Sequence, residues 1–307
     1  MTVSCLFVNA IAKSINPPSK TVELKKWELI NMNLKKLDLI IAAGIFALFA
    51  GHASANEKCL SPTIKPGILT VATGNPTYFP WVLDDDPKSG KGFEAAVAYE
   101  VAARMGYPAD KVEWVRTSFD QAIQPGAKDF DFNLQQYSIT TERAKVIDFS
   151  TPYYTAARAV LVRKPVVAAG AVATVASIRK LVWGAVAGST APGAIKTLIG
   201  PAAEPSLFDD TADISEALKA GQIDATLLDL PTALYMAAAV LDDGVVLGQF
   251  PHGDEETGLD QFGLVFEKGN PLRVCADAAI AGMVKDGKLA AIEAEWLQNA
   301  TGVPLIK

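Results

Sequence analysis

ILTVATGNPTYFPWVLDDDPKSGKGFEAAVAYEVAARMG occupies residues 68–106 and sets the architecture. Residues 68–73 are a short apolar run ended by Gly74-Asn75-Pro76, the pattern of a buried strand running into a loop. Phe93, Val97, Val101 and Met105 then recur every four residues, which predicts an amphipathic helix stopped by Gly106. The alternation continues. Residues 112–115, 130–134 and 157–163 read as strands, with a short helix at 119–123 closed by Pro125-Gly126. Residues 164–174, rich in Ala, Val and Gly around Pro165, read as a crossover out of a first domain. Beyond it, strands are predicted at 181–186, 225–228, 245–247 and 261–266, and helices at 191–199, 214–220, 231–241, 271–285 and 289–298. Such alternation predicts an α/β fold of largely parallel sheets covered by helices on both faces. Ligands of such sheets bind beyond the carboxyl ends of the strands.

Composition narrows the function. Half of the 307 residues are hydrophobic and a fifth are charged, a globular balance. The formal charge is −6, and residues 56–307 alone carry −9, so a nucleic-acid partner is excluded on electrostatic grounds. Residues 56–307 contain a single histidine, His252, and two cysteines, Cys59 and Cys275. That set builds neither a Cys/His zinc site nor a Ser-His-Asp triad. No metal and no cofactor is expected.

Residues 32–55 have the layout of a secretory signal. Met32-Asn33-Leu34-Lys35-Lys36 is a basic start, residues 37–51 are apolar apart from Asp38, and Ala53-Ser54-Ala55 supplies a cleavage site. Cleavage is expected after Ala55, and residues 1–31 read as an extension upstream of a true start at Met32. An uncleaved anchor helix is the rival reading, and the small-residue triplet argues against it. Cys59 follows Asn56-Glu57-Lys58, which is no lipid-attachment sequence, so a soluble periplasmic protein is expected. In an oxidising compartment an even cysteine pair favours a Cys59–Cys275 disulfide, worth roughly 3–5 kcal/mol for so long a loop. Two free buried thiols are the alternative.

Three loops after strands carry candidate ligand groups. In Asn75-Pro76-Thr77-Tyr78-Phe79-Pro80-Trp81, Phe79 and Trp81 read as core residues and Tyr78 as the ligand-facing ring. In Ser138-Ile139-Thr140-Thr141-Glu142-Arg143, hydroxyls, a helix start and a guanidinium suit a carboxylate. Arg143 could equally pair with a structural acid such as Asp148. Gly188-Ser189-Thr190 is a weaker anion site at a helix start. Asp229 ends a strand before Pro231 and either caps the next helix or faces the cleft to hold an ammonium. A cation, an anion and an aromatic wall together suit a free amino acid.

The chain resembles the amino-acid-binding branch of the bacterial extracellular solute-binding proteins, family 3, which serve ABC importers, over about residues 62–300. The most specific stretch is Ser138-x-Thr140-x-Glu142-Arg143-x₄-Asp148-Phe149-Ser150-x-Pro152-Tyr153-Tyr154. Gly92-Phe93-Glu94, Gly221-Gln222-Ile223-Asp224-Ala225, Phe262-Gly263-Leu264 and Gly269-Asn270-Pro271 support it, although Ala95 and Ala96 depart from the family's helix signature.

The resemblance implies a periplasmic binding protein-like type II fold, two αβ lobes joined by two crossing hinge strands at 157–163 and 261–268. Lobe 1 would be residues 56–160 plus 263–307 and lobe 2 residues 161–262, placing Cys59 and Cys275 in one lobe. It implies Arg143 at the ligand α-carboxylate with Ser138 and Thr190, Asp229 at the α-ammonium, Gln136 offering its carbonyl, and Tyr78 over the side chain. Asn75 stands where cation-binding members place an acid, so a polar uncharged amino acid is favoured. The partner is an ABC-type membrane permease and the protein a monomer with no enzymatic activity. The rival is a periplasmic cyclohexadienyl/prephenate-type dehydratase on the same scaffold, with Asp229 or Glu142 as the general acid.

Overall fold

The structure, a computed structural model, describes residues 62–250, 260–297 and 302–307. The expected extension at 1–31, the leader at 32–55, Cys59 and His252 lie outside those residues.

From the amino-terminal side the chain forms β1 (Leu69–Thr73), α1 (Phe93–Arg104), β2 (Val112–Arg116), α2 (Phe119–Ile123), β3 (Phe132–Asn133), β4 (Ile147–Phe149) and β5 (Tyr154–Ala156). The second half runs β6 (Arg158–Arg163), α3 (Lys164–Ala168), α4 (Val175–Ile178), β7 (Trp183–Val186), α5 (Ala191–Ala194), β8 (Ser206–Phe208), α6 (Thr211–Lys219), β9 (Ala225–Asp229), α7 (Leu230–Tyr235) and β10 (Gly244–Gln249). Helices α5 and α7 each continue as one wider π-helical turn, Ile195–Ile199 and Met236–Val240. Strands β11 (Asp260–Phe262) and β12 (Val265–Glu267) then lead to α8 (Leu272–Lys285) and α9 (Lys288–Trp296).

Two five-stranded sheets result, ordered β2-β1-β3-β12-β4 and β10-β6-β9-β7-β8. Each is mixed. In the first, β1 runs parallel to β2 and β3 while β12 is antiparallel to β3 and β4. In the second, β7 runs parallel to β8 and β9 while β6 is antiparallel to β9 and β10. Both faces of β1 are covered. Leu69 and Val71 pack with Phe93, Val97 and Val101 of α1, and Ala72 packs on the other side with Ala122, Phe130 and Tyr137. The four-residue spacing of α1 thus does what the sequence predicts, each buried Phe or Val contributing about 1.5–3 kcal/mol.

The expected hinge at 157–163 is corrected. Strand β6 is a central strand of the second sheet, because its alternate residues are apolar on both faces. Val160 and Val162 pack with Ile178 and Trp183, and Ala159 and Leu161 pack with Ile214 and Leu218. The crossing pair is instead β5 with β11, antiparallel, pairing Asp260 with Ala156 and Phe262 with Tyr154. The single strand expected at 261–266 is likewise two: β11 belongs to the crossing pair and β12 to the first sheet. Strands β4, β5 and β8 are too short to show a period in the sequence.

The carboxy-terminal boundary also differs. Helices α8 and α9 pack on the first lobe, yet residues 302–307 return to the second. Leu305 bridges Gln249 of β10, and Ile306 is buried in the second lobe's core. Cys275, on α8, is disulfide-bonded. Among the described residues no helix is long and apolar enough to cross a membrane.

Candidate functional site

The loops after β1, β7 and β9 meet the Gln135–Ser138 segment around a cavity of about 250 Å³ between the lobes. That is below the roughly 300–1,000 Å³ typical for drug-sized ligands and suits a small metabolite. Tyr78, Gln136, Ser138, Thr190 and Asp229 all line it. Arg143 does not. Its Nη1 donates to Ser138 O at 2.8 Å and its Nη2 donates across the cleft to Gly188 O at 2.9 Å. The guanidinium lies 5.5 Å from the Phe119 ring centroid, and burial pushes its pKa down. Asp148, the alternative partner considered for Arg143, is occupied by Lys268 Nζ at 2.8 Å and Gly269 N at 2.7 Å.

Asp229 fills both roles that the sequence left open. It ends β9, caps α7 by accepting from Thr232 N at 2.8 Å, and faces the cavity. Burial, with a smaller push from nearby Asp260, raises its pKa to about 6 against the Thr232 hydrogen bonds. Ser138 Oγ and Thr190 Oγ1 approach to 3.3 Å across the cleft. Thr140 Oγ1 accepts from Arg143 N at 3.1 Å, although the helix expected there is a single 3₁₀ turn.

The aromatic loop is held by α1. Gly92 precedes the helix at φ 101° and ψ 155°, and the first helical N–H groups donate to the loop: Phe93 N to Pro80 O at 2.8 Å, Glu94 N to Trp81 O at 3.0 Å. Backbone carbonyls therefore replace the usual side-chain cap. Trp81 is buried as expected, and its Nε1 also donates to Thr232 Oγ1 of the other lobe at 2.8 Å. Phe79 departs from expectation: its ring packs at a 54° tilt against Tyr235 across the cleft, centroids 5.3 Å apart. Tyr78 lines the cavity, its pKa pushed up to about 12 by burial and then by Asp210.

Because the Trp81–Thr232 bond exists only with the lobes together, Trp81→Phe is expected to weaken ligand binding by about 0.5–1.5 kcal/mol, the net worth of one hydrogen bond. Calorimetric titration checks this, and an unchanged affinity would show that the bond does not favour closure.

Five charged cavity groups escape the sequence reading: Glu94, Arg158, Asp209, Asp210 and Asp260. Glu94 appears in the sequence as part of a helix signature. In the structure it accepts from Tyr153 Oη, from Gln136 N at 2.8 Å and from Gln136 Nε2 at 2.5 Å. Burial still raises its pKa to about 7. These bonds hold Gln136 at φ 51°, turned into the cavity wall. Arg158 stands at the start of the apolar run of β6, which is the signal it offers in the sequence; Asp260, opening the short Asp-Gln-Phe strand β11, offers none. Glu142, named as a possible acid, lies outside the cavity lining and pairs with Lys145.

Two αβ lobes, a crossing strand pair and a polar cavity enclosed between them define a two-lobed solute-binding protein. Residues 69–299 match the model of the bacterial extracellular solute-binding proteins, family 3, and the chain belongs to that family. It is 27% identical over 274 residues to the L-cystine-binding protein TcyJ of Escherichia coli K12, covering 88% of this chain and 97% of the relative. It is 28% identical to the glutamine-binding protein GlnH of Bacillus subtilis, covering 87% and 98%. Among solved structures, an ancestral amino acid-binding protein described as a precursor of cyclohexadienyl dehydratase superposes with a TM-score of 0.60 at 30% identity, covering 76% of this chain and 96% of that one. An ancestral arginine-binding protein gives 0.62 at 25% identity, covering 76% and 99%.

Proposed function

We propose that this chain captures one free amino acid between its lobes in the periplasm, as a monomer, and delivers it to an ABC-type membrane permease. The carrying observation is the cavity itself, with a hydroxyl pair, Ser138 and Thr190, on one wall and the Asp229 carboxylate on another. An α-carboxylate meets the hydroxyls and an adjoining arginine, and the α-ammonium meets Asp229. The export signal at 32–55, with cleavage after Ala55, delivers the protein there, and Cys59 is the partner of Cys275.

A polar uncharged side chain suits Asn75, Thr77 and Tyr78. A cationic side chain is the second reading, favoured by Asp209 and Asp210 on the same lining. A thermal-shift panel of the twenty L-amino acids and L-cystine tests both. A response led by glutamine or asparagine supports the first reading, one led by arginine or lysine the second, and no response overturns the amino-acid assignment. The dehydratase alternative would use Asp229, whose raised pKa leaves it partly protonated near pH 6. Incubation with prephenate and absorbance of phenylpyruvate is the measurement, with no turnover expected.

A further inference from the structure

Two adjacent amides, Gln135 and Gln136, stand on the cavity wall, and a buried group holds each of them. Gln136 Nε2 donates to Glu94 Oε2 at 2.5 Å, so its side-chain oxygen is turned away from that carboxylate. Gln135 is held the other way round. Its Oε1 accepts from the Tyr137 hydroxyl at 2.9 Å. Tyr137 is fully buried and packed on Phe119 with centroids 4.6 Å apart, and the other acceptor near its hydroxyl, Phe119 O, is farther away at 3.3 Å.

An amide whose oxygen is fixed presents its two N–H donors at the opposite end. Gln135 Nε2 meets no hydrogen-bond partner among the described residues. It lies over Gly74, 2.6 Å from the point where a Cβ would stand, so the missing side chain at Gly74 is what leaves room for the amide. Gly74, Asn75 and Pro76 line the cavity beside it. Two other groups on this loop are already engaged: Gly74 O accepts from Arg116 Nη1 at 2.7 Å, and Thr77 Oγ1 donates to Asp85 Oδ1 at 2.7 Å. The open donor of Gln135 therefore asks the ligand for an acceptor, because a polar group left unpaired in a closed site is costly.

We infer that Gln135 is a specificity-determining residue whose Nε2 donates to a carbonyl oxygen on the ligand side chain, so that the solute is an amino acid ending in a neutral carboxamide or ureido group. The inference rests on the amino-acid reading above and narrows it. A side-chain ammonium or guanidinium carries donors only, and would set donor against donor at Gln135. A side-chain carboxylate accepts, but Asp209 and Asp210 on the same lining repel it. A site built around a hydrogen bond discriminates strongly against an analogue that cannot make it.

Calorimetric titration at pH 7.5 tests the assignment with two pairs that differ at the side-chain end: L-citrulline with L-arginine, and L-glutamine with L-ornithine. The wild type should favour the carbonyl member of at least one pair by about tenfold or more. Gln135→Met keeps the length of the side chain and removes the donor, and should bring that ratio within about threefold. Gln135→Glu offers acceptors only and should reverse the ratio in favour of the cation. Each ratio compares two ligands on one protein, so a general loss of stability does not imitate it. A wild type that favours the carbonyl member of neither pair overturns the assignment, as does Gln135→Met with the wild-type ratio or Gln135→Glu still favouring the carbonyl. Those results leave the amino-acid reading in place. A wild type that binds none of the four also overturns the assignment, and the thermal-shift panel then decides the amino-acid reading separately.

Discussion

Asp229→Ala is expected to weaken amino-acid binding by roughly 2–5 kcal/mol, the usual loss when one partner of a buried charge pair is truncated. The carboxylate is fixed by the α7 cap and faces the cavity, so the truncation removes a pre-positioned anion together with the helix cap. The effect should depend on pH. In the ligand-free protein burial holds Asp229 at about 6, and an ammonium binds only the ionised form. Affinity should therefore be complete above neutrality and fall about thirtyfold between pH 7.5 and pH 4.5. Ligand-free stability should move the other way. The raised pKa of Asp229 contributes stability that is present below its ordinary value of 3.8 and is lost as pH rises through about 6. Titrations at several pH values check this, and wild-type affinity in Asp229→Ala, or a flat pH profile, would remove the residue from the ligand's surroundings.

Gly92→Ala should be the most damaging single methyl in the first lobe. Its backbone lies in a region that only glycine occupies readily, and the added Cβ would sit 2.5 Å from Trp81 O and 2.6 Å from Val82 Cα. Neither atom belongs to a side chain that can turn aside. The loop would have to leave the start of α1, breaking the carbonyl cap and displacing Tyr78 and Trp81 together. A loss of about 3–5 kcal/mol is expected, combining backbone strain with the lost packing. Urea unfolding should show a lower midpoint at unchanged slope. A shift below about 0.5 kcal/mol would mean the loop relaxes freely.

What the sequence reveals follows the range over which each interaction is encoded. Helix α1 and strands β1 and β7 are legible because each buries a periodic or continuous apolar run against neighbours on its own lobe. The short β3 falls inside the strand read at 130–134, but the three-residue strands β4, β5 and β8 are not legible, since their pairing is set by distant partners and no period fits within three residues. The site divides in the same way. Tyr78, Ser138, Thr190 and Asp229 sit at strand ends or in the loops that follow them, where the fold class says to look, and the structure brings all four to the cavity. Arg143 follows the same logic and reaches across the cleft beside the cavity, where its guanidinium donates to the carbonyls of Ser138 and Gly188. Arg158 and Asp260 lie more than a hundred residues apart in the chain. Only the crossing of β5 and β11 makes them neighbours.

The last six residues bear on how far the molecule can open. Val175 N donates to Lys307 O, Lys307 N to Ala173 O, and Ile306 N to Gln249 O, so the end of the chain is stitched to the lobe opposite α9. Besides the two strands that bend, the polypeptide therefore passes from one half to the other a third time. That passage acts as a leash: gaping is limited by the reach of a short connection, and a purification tag fused after Lys307 would ride on the far half rather than on the one that carries α9.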